Sequence, residues 1–397
     1  MAKYKTPRGR RAVVVGGVRT PFCKAFTDLT KLDTIALGGA ATGALLRKLE
    51  IPRRELDSIV WGGVILPPLT VNVGREIALD LKLPHSVEGM TVTRACASGL
   101  QAITVAAANI ERGDADVVIA GGSDSTSNAP IAFPPKVVHE LGPLVLGGKG
   151  TPGDYAGALM KMMPLSEILP KPPKIAERTT GEVMGESAER MAQRNEISRQ
   201  AQDALALRSH QRAAAAIASG RFDDEVTKVE TPDGWVHTDN LVRADTSLDK
   251  LGKLKPAFAK EGTVTAGNAS PLTDGAAVTV VMSEEKAKAL GYTPLCAIRS
   301  WSYAGVDPAD QLLIGPALCM PGALERAGMK LGDIDLVDIH EAFAAQVLSV
   351  TKALASDGFC QERLGMDGAA GEIDEAKLNV HGGSIAVGHP FGATGAR

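Results

Sequence analysis

The sequence predicts an α/β protein with a mainly parallel sheet that helices cover on both faces. The short apolar runs RAVVVGG (11–17), DSIVWGGVI (57–65) and DVVIAGGSDS (116–125) have the length of strands. Longer Ala-rich runs at 34–49 and 99–113 have the length of helices and lie between them. Strands that are apolar on both sides and alternate with helices are typical of a parallel sheet buried between two helical layers.

The composition excludes several classes of protein. The net charge is −3, so no overall positive field favours nucleic acid. No apolar run approaches the roughly 20 residues that a membrane-spanning helix needs. The apolar run after MAKYKTPRGRR is too short for a signal peptide, and the five cysteines include no C-x-x-C pair. These features predict a soluble, cytoplasmic protein with reduced thiols.

The character of the sequence changes near Asn128. The following residues are richer in Pro and charge, and they include a charged helix from Gly185 to about Gly220. Strand character returns at 262–283, and 333–354 repeats the order of strand, polar turn and helix. We predict an N-terminal half at 1–128 and 256–290, an inserted loop domain at 129–255 and a C-terminal half at 291–397.

Three side chains at predicted turns have the chemistry of an active site. Cys96 precedes a small-residue helix, where free N–H groups and the positive end of the helix dipole predict a stabilised thiolate. His340 follows LVDI, at the carboxyl end of a predicted strand, where open α/β sheets place their ligands. His389 lies in a glycine-rich loop that lets a ligand approach the backbone. Purely structural roles for each residue remain open at this point.

The last segment, NVHGGSIAVGHPFGATGAR (379–397), also contains His381, and imidazole chemistry alone does not rank it below His389. The neighbouring Glu341 could orient His340 or a bound water. Neither histidine of the segment has a carboxylate at a usable spacing, so we predict no metal site. The sequence has no G-x-G-x-x-G after its first strand and no G-x-S-x-G, which argues against a dinucleotide site and a serine nucleophile.

Six segments, in this order, resemble the thiolase family: VVVGGVRTPF, TRACASGLQAI, AGGSDSTS, GTVTAGNASPLTDGAAVTVVMS, HEAFAAQ and GGSIAVGHPFGATGAR. HEAF stands where many thiolases have Asn-Glu-Ala-Phe. This motif and the Pro- and Met-rich insertion are similar to the β-subunits of trifunctional fatty-acid oxidation complexes. The resemblance implies a layered α-β-α-β-α fold built from two similar halves with an inserted loop domain.

The resemblance implies a 3-ketoacyl-CoA thiolase of fatty-acid β-oxidation, which transfers an acyl group to coenzyme A and releases acetyl-CoA. Cys96 would attack the thioester substrate and carry the acyl group, and His389 would activate the thiol. His340 would stand where the family's asparagine positions a water of the oxyanion hole. Coenzyme A would be a substrate, and no cofactor would be bound permanently.

The family's coenzyme A contacts match Met184, Arg243, Ser270 and Phe343 of this chain. Pro271 departs from the glycine that is commoner beside Ser270. The resemblance also implies a homodimer or tetramer, acyl-CoA and coenzyme A as small-molecule partners, and association with a hydratase/dehydrogenase α-subunit.

The family's catalytic acid is a second cysteine, in a C-x-G motif some 30 residues beyond GATGAR. The cysteines other than Cys96 do not lie in such a context. We therefore expect the C-terminal half to be incomplete and the full protein to extend beyond Arg397.

Three other functions remain open from the sequence. The first is an acetyl-CoA C-acetyltransferase that makes acetoacetyl-CoA. The second is a decarboxylating condensing enzyme with a Cys-His-His set, which needs no second cysteine. The third is a non-catalytic subunit that binds coenzyme A. The sequence does not fix the acyl chain length or the physiological direction.

Overall fold

The computed structural model describes residues 9–148, 150–170 and 175–397. The strands in these ranges are β1 (Ala12–Arg19), β2 (Cys23–Lys24), β3 (Ser58–Gly62), β4 (Glu88–Val92), β5 (Val117–Ser125), β6 (Val229–Thr231), β7 (Gly234–Val236), β8 (Thr273–Ser283) and β9 (Cys296–Ala297). The α-helices are α1 (Thr34–Leu49), α2 (Val73–Asp80), α3 (Ser98–Arg112), α4 (Pro135–Leu146), α5 (Pro152–Lys161), α6 (Met184–Arg194), α7 (Arg199–Ala218), α8 (Leu248–Gly252), α9 (Glu284–Ala289), α10 (Gly315–Ala327), α11 (Ala344–Leu354), α12 (Asp357–Leu364), α13 (Ser384–Val387) and α14 (Phe391–Thr394). Short 3₁₀ helices lie at Arg53–Glu55, Thr126–Asn128, Leu165–Glu167 and Leu331–Asp333.

The main sheet has the strand order β4-β3-β5-β8-β1-β9, with β2 paired to β8. β3 is parallel to both β4 and β5. β8 is antiparallel to β5 and to β1, and β9 is antiparallel to β1. The predicted α/β class is therefore confirmed, but the prediction of a mainly parallel sheet is wrong. Only the connections through α2 and α3 impose parallel pairing, whereas β8 enters the sheet after a long excursion that imposes no direction.

Both faces of this sheet are buried, as the apolar strands predicted. Val117 and Ile119 of β5 pack in the core cluster that contains residues of α1 and α2. Val118 and Ala120, on the opposite face of the same strand, pack in the cluster formed with α3. Alternate side chains of a strand point to opposite faces, so an apolar residue at every position requires a helical layer on each side.

The charged helix predicted from Gly185 to about Gly220 is two helices, α6 and α7. Glu196, between them, has a φ of 53°, in the left-handed region that interrupts a helix. The Ser198 side chain then accepts a hydrogen bond from the Ala201 N–H and starts α7 as its N-cap. The single-helix prediction is therefore wrong, because local capping chemistry divides the segment.

The strand predicted before His340 is also absent from the described part of the chain. Val337 pairs with Leu378 in one isolated parallel bridge, and no longer ladder forms there. The helix predicted after the polar turn is present as α11. A strand needs a neighbouring backbone along its length, and the described residues give this segment one residue of pairing.

The described chain divides into two compact units, one formed by the residues up to Asn128 and from Ala176 onwards, the other by Ala129–Ile175. The smaller unit contains α4 and α5, and Lys136 Nζ binds Glu167 Oε2 at 2.6 Å within it. The predicted boundaries at 128, 255 and 290 stay a prediction. Residues 171–174 of the Pro-rich stretch LPKPPK lie outside the described residues. Over the described ranges, no helix has both the length and the apolar character to cross a membrane.

Candidate active site

Cys96 lies in a tight turn between β4 and α3. Ala95 has a φ of 44°, a left-handed conformation that a residue with a side chain rarely adopts. The Ser98 hydroxyl closes the turn, because it accepts from the Arg94 N–H at 2.8 Å and donates to the Ala95 carbonyl at 2.7 Å. One buried hydroxyl therefore holds the strained backbone that presents the thiol.

Burial raises the pKa of the Cys96 thiol to about 11, and the charge of Asp124 raises it further, against a lowering by a backbone hydrogen bond. The prediction of a stabilised thiolate is therefore wrong, because the loss of water around the sulfur outweighs the N–H groups of the turn. The thiol form dominates at neutral pH. A nucleophilic Cys96 needs a base that takes its proton.

His389 is the base that the geometry offers. Its side chain is buried, and its backbone N–H donates to Thr273 Oγ1 at 2.9 Å. Its Nδ1 lies 2.7 Å from Thr394 Oγ1, and that hydroxyl gives its own hydrogen to the Pro390 carbonyl at 3.1 Å. Thr394 must therefore accept from Nδ1–H of the neutral ring, which leaves Nε2 as an acceptor. Nε2 has no hydrogen-bond partner within the described ranges.

His340 lies directly beside His389, with the ring centroids 3.9 Å apart and the rings tilted by 38°. Its Nδ1 is 2.8 Å from Ser384 Oγ, and its buried Nε2 has no partner in the described part of the chain. Burial lowers the pKa of His340 to about 4. Burial, and then the neighbouring His340, lower the pKa of His389 well below its ordinary value. Both imidazoles are therefore neutral at neutral pH.

The sulfur of Cys96 and one ring nitrogen each of His340 and His389 all lie within 4.8 Å of one another. The three predicted catalytic residues thus converge, although 244 positions separate Cys96 from His340 in the chain. His381 does not join them, because its Nε2 accepts from Arg221 Nε at 3.4 Å. A thiol and two neutral imidazoles could also hold a metal ion, so the absence of a metal site stays a prediction.

No hydrogen bond joins Glu341 to the His340 imidazole in the described residues, and its predicted role in orienting His340 or a bound water stays a prediction. Its buried carboxylate accepts from Ser209 Oγ at 2.6 Å, from Asn379 Nδ2 at 2.8 Å and from the Ile385 N–H at 3.3 Å. Glu341 instead fixes the start of the segment that ends in the His389 loop.

The residues predicted to contact coenzyme A divide into two places. Met184 and Phe343 share an apolar cluster with Phe258, and the Ser270 N–H donates to the carbonyl beside Phe343 at 2.9 Å. Arg243 is exposed, and its backbone N–H donates to His210 Nδ1 at 3.2 Å. The contacts within the described ranges do not join Arg243 to the other three residues. Their role in binding stays a prediction.

Four hydroxyl residues of the site escaped sequence reasoning: Ser98, Thr273, Ser384 and Thr394. Each bonds to the nucleophile turn or to one of the two catalytic-site histidines. Ser384 and Thr394 lie in the same glycine-rich segment as His389, which is the only sequence signal that could have indicated them. Ser98 and Thr273 lie in two of the six motifs, but a motif does not indicate their contacts, which depend on how the turn and β8 pack.

A cysteine beside a neutral imidazole, on an α/β scaffold, is typical of enzymes that carry an acyl group on the cysteine. The chain belongs to the thiolase family. Residues 12–285 match the family described as Thiolase, N-terminal domain, and residues 292–397 match Thiolase, C-terminal domain. The resemblance that the six motifs indicated is therefore confirmed.

Named relatives share most of their length with this chain. It is 44% identical to a 3-ketoacyl-CoA thiolase of Pseudoalteromonas translucida, over 99% of this chain and 90% of the relative. It is 44% identical to a 3-ketoacyl-CoA thiolase of Cronobacter sakazakii, with the same coverage of 99% and 90%.

Two solved structures share the fold. Human mitochondrial 3-ketoacyl-CoA thiolase in complex with CoA matches with a TM-score of 0.80 and 31% identity, over 98% of this chain and 89% of that one. The acetyl-CoA acetyltransferase of Bacillus anthracis matches with a TM-score of 0.79 and 36% identity, over 98% and 90%. The predicted thiolase fold is therefore confirmed.

Proposed function

We propose that this protein is a 3-ketoacyl-CoA thiolase that cleaves a 3-ketoacyl-CoA with coenzyme A, through an acyl group carried on Cys96. The single observation that carries the assignment of roles is the convergence of the Cys96 sulfur with ring nitrogens of His340 and His389 within 4.8 Å. The assignment agrees with the names of relatives that are 44% identical over 99% of this chain.

In the first step, Nε2 of His389 takes the proton of the Cys96 thiol, and the sulfur forms a bond to the 3-keto carbon of the substrate. The carbonyl oxygen becomes an oxyanion. Its collapse breaks the bond between carbons 2 and 3 and releases acetyl-CoA as an enolate, which must take up a proton. The acyl group remains on sulfur as a thioester. The raised pKa of Cys96 and the fixed acceptor Nε2 make this proton transfer the first requirement.

In the second step, coenzyme A gives its thiol proton to the group that protonated the enolate, and its sulfur attacks the acyl–Cys96 thioester. The bond from the acyl carbon to the Cys96 sulfur breaks, His389 returns its proton to that sulfur, and the product acyl-CoA leaves with the cysteine regenerated. The buried Nε2 of His340 has no partner in the described residues, and a ring nitrogen of His340 lies within 4.8 Å of the Cys96 sulfur. His340 would therefore orient a group or water at the developing oxyanion. No other cysteine belongs to this cluster in the described residues, so a group outside the cluster must protonate the enolate.

We propose that Met184, Arg243, Ser270 and Phe343 contact coenzyme A, which is a substrate and not a permanently bound cofactor. The apolar setting of Met184 and Phe343 suits the pantetheine arm, and the exposed Arg243 suits the polar nucleotide end. We also propose a cytoplasmic homodimer or tetramer that associates with a hydratase/dehydrogenase α-subunit. The support for these assembly proposals is the motif resemblance.

The test is thiolysis by the purified protein of acetoacetyl-CoA and of a longer 3-ketoacyl-CoA, followed by loss of the ketoacyl absorbance. Intact mass after incubation with the ketoacyl-CoA alone should show one acyl group per chain. Cys96→Ser should lose that adduct, whereas Cys319→Ser, at another partly buried cysteine, should keep it. An undiminished adduct in Cys96→Ser would overturn the assignment.

The other functions predict different results in the same assay. Decarboxylation of malonyl-CoA without thiolysis would favour a Cys-His-His condensing enzyme. Turnover of acetoacetyl-CoA alone, without the longer substrate, would favour an acetyl-CoA C-acetyltransferase. Coenzyme A binding with no adduct would favour a non-catalytic subunit.

A further inference from the structure

Asp124 is a fully buried carboxylate near the end of β5, with 0% of its surface exposed. It belongs to none of the groups that react in the proposed mechanism. It accepts three backbone hydrogen bonds: from Ile65 N at 2.6 Å, from Val64 N at 3.1 Å and from Gly392 N at 2.6 Å. The first two donors follow β3, and the third lies in α14, three residues after His389 at the end of the His389 loop.

The backbone of Gly392 is in direct contact with the sheet and with the nucleophile helix. A Cβ on Gly122 of β5 would lie 2.0 Å from the Gly392 carbonyl oxygen. A Cβ on Gly99, three residues after Cys96, would lie 2.4 Å from the same oxygen. Only glycines allow this approach, so the position of Gly392 decides how His389 stands relative to Cys96.

Three N–H donors that converge on a buried side chain favour an acceptor with no hydrogen of its own. An ionised carboxylate meets that requirement, whereas an amide would turn its NH₂ group toward one of the donors. Burial raises the pKa of Asp124 to about 6, against the lowering by its three backbone bonds. The group is therefore ionised at pH 7.5, despite its burial.

We propose that Asp124 is a positioning residue, which locks the His389 loop onto β5 and α3 so that Nε2 of His389 reaches the Cys96 thiol. The proposal rests on the proposed function of the Cys96–His389 pair. Glu341 is its counterpart at the other end of the segment, where it accepts from the Ile385 N–H. The backbone is therefore held by a buried carboxylate on each side of His389, at Ile385 by Glu341 and at Gly392 by Asp124.

The experiment compares Asp124→Asn with Asp57→Asn. Asp57 accepts the Asp116 and Val117 N–H groups at the opposite end of β5, so its variant changes the same chemistry away from the site. The readouts are the rate of Cys96 alkylation by iodoacetamide at pH 7.5, kcat and KM for thiolysis, and the thermal midpoint. Alkylation needs no acyl substrate, so an inactive wild-type enzyme would contradict the proposed function without affecting this readout.

We expect Asp124→Asn to lower the alkylation rate and kcat by about 10- to 100-fold, because the substitution displaces the base His389 from the Cys96 thiol. KM for coenzyme A should stay within about 3-fold, because the coenzyme A contacts are unchanged. Asp57→Asn should leave the alkylation rate and kcat unchanged. Alkylation of a folded Asp124→Asn protein at the wild-type rate would overturn the proposal.

Asp124→Ser, which fits the same space and can accept one N–H bond, is the second variant and should lower the same two rates. If neither variant folds, hydrogen exchange of the wild-type protein decides. The Gly392 and Ile65 amides should exchange far more slowly than exposed loop amides, since both bond to a buried carboxylate. If these amides exchange as fast as those of exposed loops, Asp124 does not hold the His389 loop in place and the proposal is wrong.

Discussion

The N-terminal half supplies the nucleophile from a regular sheet, whereas the C-terminal half supplies both histidines from side-chain networks. The thiol follows β4, whose neighbour β3 pairs along five residues. His340 follows a segment with one backbone bridge, between Val337 and Leu378. There the Asn379 amide takes the place of a neighbouring strand, because Oδ1 accepts from the Ile339 N–H at 2.8 Å and Nδ2 donates to the Ile339 carbonyl at 2.9 Å.

This difference teaches that the two parts of the site depend on different forces. A backbone ladder survives most single side-chain substitutions, since the bonded groups belong to the main chain. A network of side-chain hydrogen bonds can lose its geometry when one of its residues is substituted. Each buried group that loses its partner then carries its full desolvation cost. Substitutions of single polar side chains should therefore cost more beside the segment that leads to His340 than beside β4, the strand that leads to the Cys96 turn.

The largest effect should come from His389→Ala. Removal of the base that takes the Cys96 proton should lower kcat for thiolysis by about 10²- to 10⁴-fold. His381→Ala, in the same glycine-rich segment, is the matched control and should stay within about 3-fold, because His381 contacts Arg221 and not the cluster. Steady-state thiolysis measures both variants, and equal losses would mean that the base is misassigned.

The next effect should come from Asn379→Ala. The free energy of unfolding should fall by about 2–4 kcal/mol, because the Ile339 backbone and the Glu341 carboxylate lose buried partners. Asn72→Ala, which removes the N-cap of α2 and a bond to the Gly89 carbonyl, should cost about 1 kcal/mol because the strand keeps its ladder. Urea unfolding measures both; an equal cost would contradict the comparison between the halves.

A smaller effect should appear in the pH dependence of stability. The pKa of His340 is lowered by burial from 6.5 to about 4, so its stabilising contribution is complete above pH 6.5 and is lost as the pH falls toward 4. That contribution is at most on the order of 3 kcal/mol. His340→Asn should therefore flatten the loss of thermal stability between pH 6.5 and 4.

Asp124 acts with the opposite sign in the N-terminal half, because burial raises its pKa from 3.8 to about 6. The folded state binds its proton more tightly, so protonation between pH 6 and 4 favours folding. Asp124→Asn should therefore make the loss of thermal stability at acid pH steeper, whereas His340→Asn should make it shallower. Thermal melts across this pH range give the slope of the thermal midpoint against pH for each variant. If both variants change that slope in the same direction, Asp124 and His340 do not control the pH dependence of stability.

The smallest effect should come from Thr394→Val. Without the hydroxyl, the proton of the neutral His389 ring can sit on either nitrogen, and kcat should fall by about 10-fold. The ring keeps its packing against Phe391. Thr351→Val removes a comparable hydroxyl that bonds to a carbonyl within α11 and should leave kcat unchanged. Stopped-flow measurement of Cys96 acylation is the test, and an unchanged acylation rate in Thr394→Val would mean that the tautomer is held in another way.

Helices and strands could be predicted from the sequence wherever the apolar pattern and the residues that end the element lie in the same segment. The predicted helix at 34–49 is α1 with the same bounds, and the predicted strand at 116–125 is β5 to within one residue. The split between α6 and α7 was missed because one left-handed residue and one serine cap decide it. The direction of β8 was missed because a long excursion precedes it, and the hydrophobic pattern of a strand carries no direction.

By itself, the sequence determined the α/β class, the thiolase family and the identity of the three residues that meet, because apolar periodicity and short motifs are local properties. Only the tertiary structure decided their protonation and orientation. Burial raised the pKa of Cys96 and lowered the pKa of both histidines, and Thr394 selected one tautomer of His389. These properties depend on which groups exclude water from a side chain and which hydroxyls face it, and distant segments of the chain supply most of those groups.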